Sequence, residues 1–369
     1  MEPDRLRALL ARTPGLLARH VFACLTEGEA KGSALPPDLP TRLLSHALPE
    51  RGRAWLSRPD DRLIDSDLLW INDDSGQILI CADAQFPATL TRWRDAPAAL
   101  YVRGSPALLR AVPFAMTGGR QVTPAGIDTA RGFAAEIARS GLSLAAGVEE
   151  GIDTAAHEGV LAAGGSPIGL SVCGLDRIHP ACNAGLVARI RARGTLLSVF
   201  APGTPPRRHH FPIRGRLLGA LGSGLLVVEA AGGTGTLSSV EQARALQRPV
   251  FAIPGAIRDP AARGCNQLIR AGAILVTQPG EILQELGFNN INQSIRQSSR
   301  PPELPGTRPS LLDNKYEMLL DAAGFEPVDI DVLVFRTGWS GHEVASMLLL
   351  LELQGRVALQ PGGRYCRLS

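Results

Sequence analysis

Apolar residues fall into short continuous runs that alternate with helical spacing, from about residue 113 to residue 276. Seven runs have the length of strands: Phe114–Thr117, Leu142–Ala146, Pro167–Val172, Leu196–Phe200, Leu225–Glu229, Val250–Ile253 and Ile274–Val276. Between the first two runs, apolar residues such as Ala130, Ala134 and Ile137 recur at the i, i+3 and i+4 positions of a helix. Strands that are apolar throughout and separated by helices form a parallel sheet covered on both faces. The pattern predicts a doubly wound α/β domain with a parallel sheet.

The N-terminal part of the chain has a different pattern. Its apolar stretches, Leu6–Leu10, Leu16–Leu25 and Leu43–Leu48, are separated by proline and glycine, as in a set of short helices. We predict a small helical module of the SAM or helix-hairpin-helix type over residues 1–65, with a modest core of its own. The α/β domain then covers residues 66–288 and begins with the strand-like segment Gln77–Cys81.

Beyond the α/β domain, residues 289–310 are polar and rich in proline, without periodicity, and we interpret them as a linker. Residues 311–369 then show three helical patterns and an alternating hairpin, which together predict a winged helix. The third helix opens with the capping-box pair Ser340 and Glu343. It has no lysine or arginine, whereas a helix that reads DNA needs cations. We therefore expect a protein contact surface there rather than a transcription factor.

Composition excludes several classes of protein. The length of 369 residues indicates two to three domains, and 45% hydrophobic residues exclude a disordered chain. No apolar run has the roughly 18 to 20 residues of a membrane helix, and even Leu217–Ala231 is interrupted by glycines and Glu229. The N-terminus has no apolar region typical of a signal peptide. The six cysteines form no Cys-x-x-Cys pair. We expect a cytoplasmic protein without a metal or cofactor.

The net charge of +3 is modest, but the cations are unevenly distributed. All but Lys31 and Lys315 are arginines, and neither lysine follows the glycines of a P-loop, which excludes a P-loop nucleotidase. From residue 189 to residue 216 there is no acidic residue. Nine basic residues lie there: Arg189, Arg191, Arg193, Arg207, Arg208, His209, His210, Arg214 and Arg216. With Phe211 among them, this segment has the guanidinium groups and the ring that single-stranded nucleic acid requires.

Two glycine-rich loops follow predicted strands and precede predicted helices. The first contains Gly118, Gly119 and Arg120, which suit an anion, although an ordinary turn with a surface arginine would look the same. The second contains Gly233, Thr234, Gly235 and Thr236. It lacks the third glycine of the dinucleotide fingerprint, so we do not expect a nicotinamide cofactor there. It still suits an anion.

A third motif runs from Gly151 to His157. Asp153 is placed to cap a helix, and His157 lies one turn further on the same face. An aspartate and a histidine at this spacing can ligate a metal, but no further ligand cluster is evident. We therefore favour capping and packing over a metal site.

Taken in order, these motifs resemble the DprA/Smf family of DNA-processing proteins. The residues that carry the resemblance are Thr117–Arg120, Gly151–Asp153 with Ala156 and His157, Cys173–Asp176 with Pro180, Phe211–Arg216, Val228–Ala230, Phe251–Gly255 and Gly264–Asn266. The resemblance covers about residues 77 to 286. Seven motifs in a fixed order are far more specific than one glycine-rich loop.

The resemblance implies an extended Rossmann-like domain that binds single-stranded DNA as a homodimer and helps to load a RecA-type recombinase in natural transformation. It implies no catalysis, no cofactor and no membrane. Strand contacts are implied for the loops at Gly118, Gly119 and Gly233–Thr236 and for these side chains: Arg120, Arg207, Arg208, His210, Phe211, Arg214 and Arg216. Structural positions in its motifs are Gly151, Asp153, His157, Glu229 and Asn266.

An enzyme is the competing interpretation. Residues 232–236 also resemble the Pro-Gly-Gly-x-Gly-Thr-x-x-Glu signature of LOG-type nucleotide phosphoribohydrolases. Here Ala231 replaces the proline and Ser239 replaces the glutamate. Loss of that carboxylate removes the group that would stabilise charge in the transition state, while the phosphate cradle remains. Binding is therefore the better prediction, with a nucleotide hydrolase or nucleotide-binding protein as the alternative.

Overall fold

The computed structural model describes residues 2–25, 35–46, 48–72, 76–231, 234–288, 311–360 and 362–368. The predicted linker over residues 289–310 lies outside the described residues. The chain divides into two compact units, Met1–Val122 with Ala130–Gly287 and Thr123–Thr129 with Phe288–Ser369. Across the described ranges, none of the helices combines the length and the hydropathy that a membrane span requires.

Helices and strands alternate along the chain up to residue 288. The helices are α1 (Pro3–Ala11), α2 (Ala18–Cys24), α3 (Leu39–Leu44), α4 (Glu50–Ser57), α5 (Asp61–Asn72), α6 (Pro124–Arg139), α7 (Ile152–Ala162), α8 (Ala184–Arg193), α9 (His210–Leu221), α10 (Thr234–Ala245), α11 (Arg263–Arg270) and α12 (Pro279–Glu285). Short 3-10 helices cover Ala88–Arg92, Pro106–Leu109 and Ala181–Asn183. The strands are β1 (Gly76–Ile80), β2 (Ala99–Gly104), β3 (Phe114–Gly118), β4 (Leu144–Gly147), β5 (Ile168–Leu170), β6 (Thr195–Ser198), β7 (Leu225–Val228), β8 (Val250–Ala252) and β9 (Ile274–Leu275).

Within the described ranges these strands form one sheet in the order β1-β2-β6-β5-β4-β3-β7-β8-β9. In the part of the sheet that runs from β6 through β3 to β9, each strand is parallel to its neighbours. The doubly wound parallel sheet predicted from the apolar runs is confirmed, and each of the seven runs overlaps one of the strands β3–β9. At one edge, β1 and β2 extend the sheet in the antiparallel direction.

The N-terminal helices do not have the separate core expected from the sequence. Leu9 of α1 and Leu43 of α3 are buried in the same hydrophobic cluster as Leu100 of β2. A polar contact joins the same parts, because the Arg12 guanidinium pairs with the fully buried Asp67 at 2.7 Å. The hydroxyl of Tyr101 donates to the same carboxylate at 3.1 Å. The helices pack directly on the antiparallel edge of the sheet.

Two glycines of α9 bring this helix unusually close to α10. A Cβ atom added to Gly219 would lie 2.2 Å from the carbonyl oxygen of Ser239, and one added to Gly215 would lie 2.3 Å from the hydroxyl of Ser238. Because only glycine leaves this space, the two helices share a contact without side chains between them. This contact fixes α9, which starts in the arginine-rich segment.

The second unit contains the winged helix. Its elements are α13 (Leu311–Ala323), α14 (Ile330–Thr337), α15 (Gly341–Leu353), β10 (Val357–Gln360) and β11 (Arg364–Arg367). The predicted capping box is confirmed, since Ser340 accepts a hydrogen bond from the Glu343 amide at 3.3 Å and its own amide donates to the Glu343 carboxylate at 3.2 Å. The predicted antiparallel hairpin is also present. On α15, three leucines are exposed: Leu349, Leu350 and Leu353.

Candidate nucleic-acid interface

A cavity opens where the winding of the sheet reverses. The chain continues from β3 to β4 on one side, whereas β7 lies on the other side of β3. In doubly wound sheets, ligands bind beyond the carboxyl ends of the strands at such a point. Here the cavity has a volume of about 480 Å³. Its lining comes from the end of β3 and the start of α9, with further residues after β4, after β7 and in α10: Thr117, Gly118, Gly119, Arg120, Glu149, Glu150, Asp153, Arg208, Phe211, Pro212, Arg214, Ala230, Ala231 and Thr236. We term it the switch-point pocket.

The glycines after β3 set the distance between two strand ends. A Cβ atom on Gly118 would lie 1.9 Å from the carbonyl oxygen of Val228, its partner in β7. The amide of Gly119 donates to the carbonyl of Glu229 at 2.5 Å, and its carbonyl accepts from the amide of Ile152 at 3.1 Å. The amide and the carbonyl group of Gly119 are therefore both hydrogen-bonded within the protein. These glycines shape the pocket by allowing close approach of the backbone.

Arg120 and Phe211 are in contact at the mouth of the pocket. The guanidinium carbon of Arg120 lies 4.3 Å from the centre of the Phe211 ring, as in a cation–π contact. Arg120 and Arg208 are both exposed, and both line the pocket. The sequence predicted these three residues as strand contacts, and the structure brings them together. A phosphate binds well to guanidinium groups, and a base stacks on a ring face.

Arg214 lies deeper and has another role than the predicted phosphate contact. Its side chain is only 9% exposed, and its guanidinium hydrogen-bonds to the carboxylate of Glu149 and lies 3.3 Å from the carboxylate of Asp153. Both carboxylates are buried as well. The charge of Arg214 is therefore compensated within the protein, and we assign it to the floor of the pocket rather than to the strand.

Asp153 also differs from the prediction. It lies inside the first turn of α7, the N-cap is Gly151, and no side chain caps this helix. Burial raises the pKa of Asp153 to about 8, the charge of Arg214 lowers it, and the charge of Glu149 raises it again. Asp153 therefore retains a proton at neutral pH. One guanidinium, one carboxylate and one protonated carboxyl group give the floor no net charge.

His157 lies behind this floor and is fully buried. Its Nε2 atom lies 2.7 Å from the carbonyl oxygen of Gly147, and burial lowers its pKa to about 4. A neutral imidazole that donates to a backbone carbonyl is a packing element. In the described ranges, no cluster of three or more possible metal ligands occurs.

Three other residues from the arginine-rich segment do not line the switch-point pocket. His210 is buried, lies 2.8 Å from the carbonyl oxygen of Val172 through Nδ1, and stacks on Phe200 at 3.9 Å. Arg207 is exposed outside the pocket. Arg216 is exposed on another side of α9, because two helical positions differ by about 200° around the axis. Sequence proximity therefore overstated how many of these side chains line one pocket.

Thr236, in the first turn of α10, is buried and lines the pocket. Gly233 lies outside the described residues, and Thr234 and Gly235 form the beginning of α10. Glu229 adopts a positive φ of 43°, which is uncommon for a residue with a side chain and marks a tight turn.

Asn266 lies in α11, and its side chain hydrogen-bonds to the loop that follows β8. Its side chain donates to the carbonyl of Gly255 at 2.9 Å and accepts from the amide of the same residue at 3.3 Å. The side chain therefore fixes the turn that follows β8.

The sequence analysis missed the function of Glu149. Two adjacent acidic residues directly after a strand were a visible signal. Their partner, Arg214, lies 65 positions away in sequence. A pairing of buried charges over this separation cannot be found from spacing within one helix.

Family models match two parts of the chain. The model described as DNA recombination-mediator protein A matches residues 77–287. The model of the DprA winged helix domain matches residues 300–363. The first match alone covers more than half of the chain.

Curated relatives agree with these matches. Protein Smf from Escherichia coli K12 is 37% identical over 309 residues, which cover 83% of this chain and 81% of that protein. DNA processing protein DprA from Streptococcus pneumoniae is 36% identical over 206 residues, which cover 56% of this chain and 73% of the relative.

Two solved structures are similar to this fold. DNA processing protein A from Streptococcus pneumoniae superposes with a TM-score of 0.65 at 29% identity, over 77% of this chain and 98% of that one. The protein of the same name from Helicobacter pylori, studied for its unique single-stranded DNA binding mode, has a TM-score of 0.53 at 27% identity. That match covers 58% of this chain and 96% of the other.

Proposed function

The chain belongs to the DNA recombination-mediator protein A family, also named DprA/Smf, and on that premise we propose that it binds single-stranded DNA in the switch-point pocket. We further propose that it acts without catalysis, as a mediator that protects incoming DNA and loads a RecA-type recombinase onto it. The related protein from Helicobacter pylori is described as binding single-stranded DNA. For this chain, the support comes from the geometry of the pocket.

The contact between Arg120 and Phe211 carries the proposal. It holds a cation and a ring face 4.3 Å apart at the mouth of the pocket, beside Arg208. Arg120 forms no ion pair with any residue that the structure describes, so its N–H groups are available to a phosphate. Stacking on a ring accepts every base, because each base has a π face. We expect binding with little preference for sequence.

The floor of the pocket supports this assignment. Glu149, Glu150 and Asp153 lie near the proposed phosphate path and would repel a polyanion if all were ionised. Arg214 compensates one of these carboxylates, and the high pKa of Asp153 keeps a second one neutral. The remaining charge of Glu150 is exceeded by Arg120 and Arg208. At neutral pH the pocket therefore favours an anion.

Partners other than DNA are part of the proposal. A homodimer would present two such pockets to one strand, and the effective concentration of the second pocket would strengthen binding. The winged helix is proposed as a protein contact, because α15 exposes Leu349, Leu350 and Leu353 and has no lysine or arginine. Its partner would be the recombinase or another protein of the same process.

Fluorescence anisotropy tests the DNA proposal. A labelled oligothymidine and a duplex of equal length would be titrated with the protein over a salt series. We expect preference for the single strand, and a slope of log K against log salt that falls by about 0.7 for each phosphate contact removed in Arg120→Ala and Arg208→Ala. Arg139→Ala, an exposed arginine of α6, is the control. Equal affinity for the duplex, or an unchanged slope in both variants, would contradict the proposal.

Recombinase loading needs a separate measurement. A RecA-type recombinase would be added to an oligonucleotide coated with a single-strand binding protein, and filament growth would be followed with and without this chain. We expect growth to require the chain and to be lost in the variant Arg120→Ala. Growth that is independent of this chain would limit its function to DNA binding.

The phosphoribohydrolase alternative is disfavoured by the position of Ser239. This residue replaces the glutamate of that signature, is fully buried, and does not line the switch-point pocket. A Cβ atom on Gly215 would lie 3.1 Å from its hydroxyl, so Ser239 faces α9. Incubation with nucleoside monophosphates should release no base. Release of a base with turnover would restore the hydrolase alternative.

A further inference from the structure

A second cavity lies on the other side of α9. It has a volume of about 630 Å³ and is bounded by the chain after α1, residues 93–99, the end of β6, and helices α9 and α10. We term it the Trp93 cleft. The residues used below are Trp93, Asp95, Phe200, Ile213, Arg216 and Gln242.

The cleft combines ring faces with an available cation. Trp93 and Phe200 are half-buried and line it. Arg216 is exposed and has no carboxylate partner among the residues that the structure describes. The acidic residue of the cleft, Asp95, is paired with Arg19 at 2.6 Å. A positive charge beside two aromatic rings therefore remains uncompensated.

Two further arginines interact electrostatically, and one of them is adjacent to Trp93 in sequence. Arg92 directly precedes Trp93 in sequence, and burial together with the charge of Arg92 lowers the pKa of Arg248. The Nε atom of Arg248 is buried and has no hydrogen-bond partner in the described structure. Neither arginine forms an ion pair within the described residues.

Helix α9 is the wall between the two cavities. Phe211 and Arg214 face the switch-point pocket, whereas Ile213 and Arg216 face the Trp93 cleft. From Phe211 to Arg216 the helix advances by only about 7.5 Å. A strand that leaves the Phe211 ring across the first turns of α9 therefore meets the second cavity within a few nucleotides.

We infer that the Trp93 cleft is a second contact site for the same single strand, in which a base stacks on Trp93 while Arg216 binds a phosphate. This inference rests on the proposed function, since the strand enters from the switch-point pocket. The chemistry is that of a nucleotide of any sequence: a π face for the base and guanidinium groups for the backbone.

The experiment compares oligothymidines of about three and about twenty nucleotides, because only the longer one can occupy both sites. The variants are Trp93→Leu, Trp93→Phe and Arg216→Ala, in the full chain. Arg62→Ala, an exposed arginine of α5 that does not line either cavity, is the control for Arg216→Ala.

For the longer oligonucleotide, we expect Trp93→Leu and Arg216→Ala to weaken binding about tenfold, while Trp93→Phe keeps the ring and loses little. For the short oligonucleotide, we expect no change in any variant. The long oligonucleotide should also quench tryptophan fluorescence, and Trp93→Phe should remove this quenching. Thermal unfolding of each variant separates a folding defect from a binding defect, and Arg216→Ala alters only an exposed side chain.

The outcomes separate the two proposals. If the wild-type chain binds the long oligonucleotide, but all four variants bind it equally well and the quenching persists in Trp93→Phe, the second site is overturned and the switch-point pocket stands. If the wild-type chain binds no single strand, the proposed function itself fails. If both lengths are weakened equally by Arg216→Ala, the residue acts on the first pocket and the inference is also overturned.

Discussion

Arg214 and Arg216 are two positions apart on α9, and their side chains line different cavities. Arg214 is buried between Glu149 and Asp153, whereas Arg216 is exposed in the Trp93 cleft. A helix rotates by about 100° per residue, so neighbouring arginines are separated by the geometry of the helix itself. Substitutions at these two positions should therefore have different consequences.

Loss of Arg214 should affect folding. Arg214→Met leaves the buried carboxylate of Glu149 without a cation, and the removal of one partner from a buried ion pair costs about 3–5 kcal/mol. Urea unfolding should show this loss of stability, whereas Arg216→Ala should stay within about 0.5 kcal/mol of the wild type, as exposed substitutions do. A stable Arg214→Met protein with a smaller salt slope for DNA would show that Arg214 contacts the strand after all.

Phe211 should contribute to affinity but not to its salt dependence. Phe211→Leu removes the ring face under Arg120 and should weaken single-strand binding by about 1–3 kcal/mol, the range for stacking of one base. Phe211→Tyr keeps the ring and should bind normally. Anisotropy titrations at several salt concentrations give both quantities. A change of slope in Phe211→Leu, as large as that in Arg120→Ala, would mean that the ring only positions the guanidinium.

Stability should fall as the pH rises from 6.5 to 8. Burial raises the pKa of Asp153 to about 8, whereas an unfolded aspartate has a pKa of about 3.9. A carboxyl group with a raised pKa stabilises the fold below the unfolded value, and this contribution is lost as the pH rises through the folded value. His157 acts in the opposite sense, because its pKa is lowered from 6.5 to about 4, and its contribution is lost as the pH falls through that range.

Between pH 6.5 and 8, therefore, the folded protein loses the proton of Asp153, whereas its His157 is already neutral. Thermal unfolding over this range should show a decrease of Tm in the wild type and a weaker dependence in Asp153→Asn. DNA binding should weaken over the same range, because ionisation of Asp153 adds a negative charge to the floor of the pocket. An equal slope of Tm in both proteins would place the titrating group elsewhere.

The glycine contact between α9 and α10 should tolerate no side chain. Gly219→Ala places a methyl group about 2.2 Å from a backbone oxygen of α10, so the helices must separate, and overpacking of this kind costs roughly 1–3 kcal/mol. Gly132→Ala in α6 is the control, because no atom lies within 4 Å of the added Cβ, and alanine should stabilise that helix by about 1 kcal/mol. Chemical unfolding measures both. Equal stability of the two variants would show that α9 moves without cost.

Much of the fold was visible in local sequence. The apolar runs predicted β3–β9 and their parallel arrangement, because a strand buried on both faces must be apolar throughout. Ser340 and Glu343 predicted the start of α15, since a capping box uses residues three positions apart. The N-terminal helices were identified as helices, but their shared core with the sheet was not. Hydrophobic periodicity describes one helix or strand at a time. It does not show which apolar faces pack against each other, because those contacts join residues that are far apart in sequence.

The sequence by itself determined the arginine-rich segment, the two glycine-rich loops and their order along the chain. Those features, together with the resemblance they carry, identified the family and predicted where an anion site would lie. Only the tertiary structure decided which cations remain available. It buried Arg214 against Glu149 and Asp153, placed Arg120 on Phe211, and turned Arg216 toward another cavity. The physical reason is that the availability of a charge depends on its burial and its partners, and both are set by residues far away in sequence.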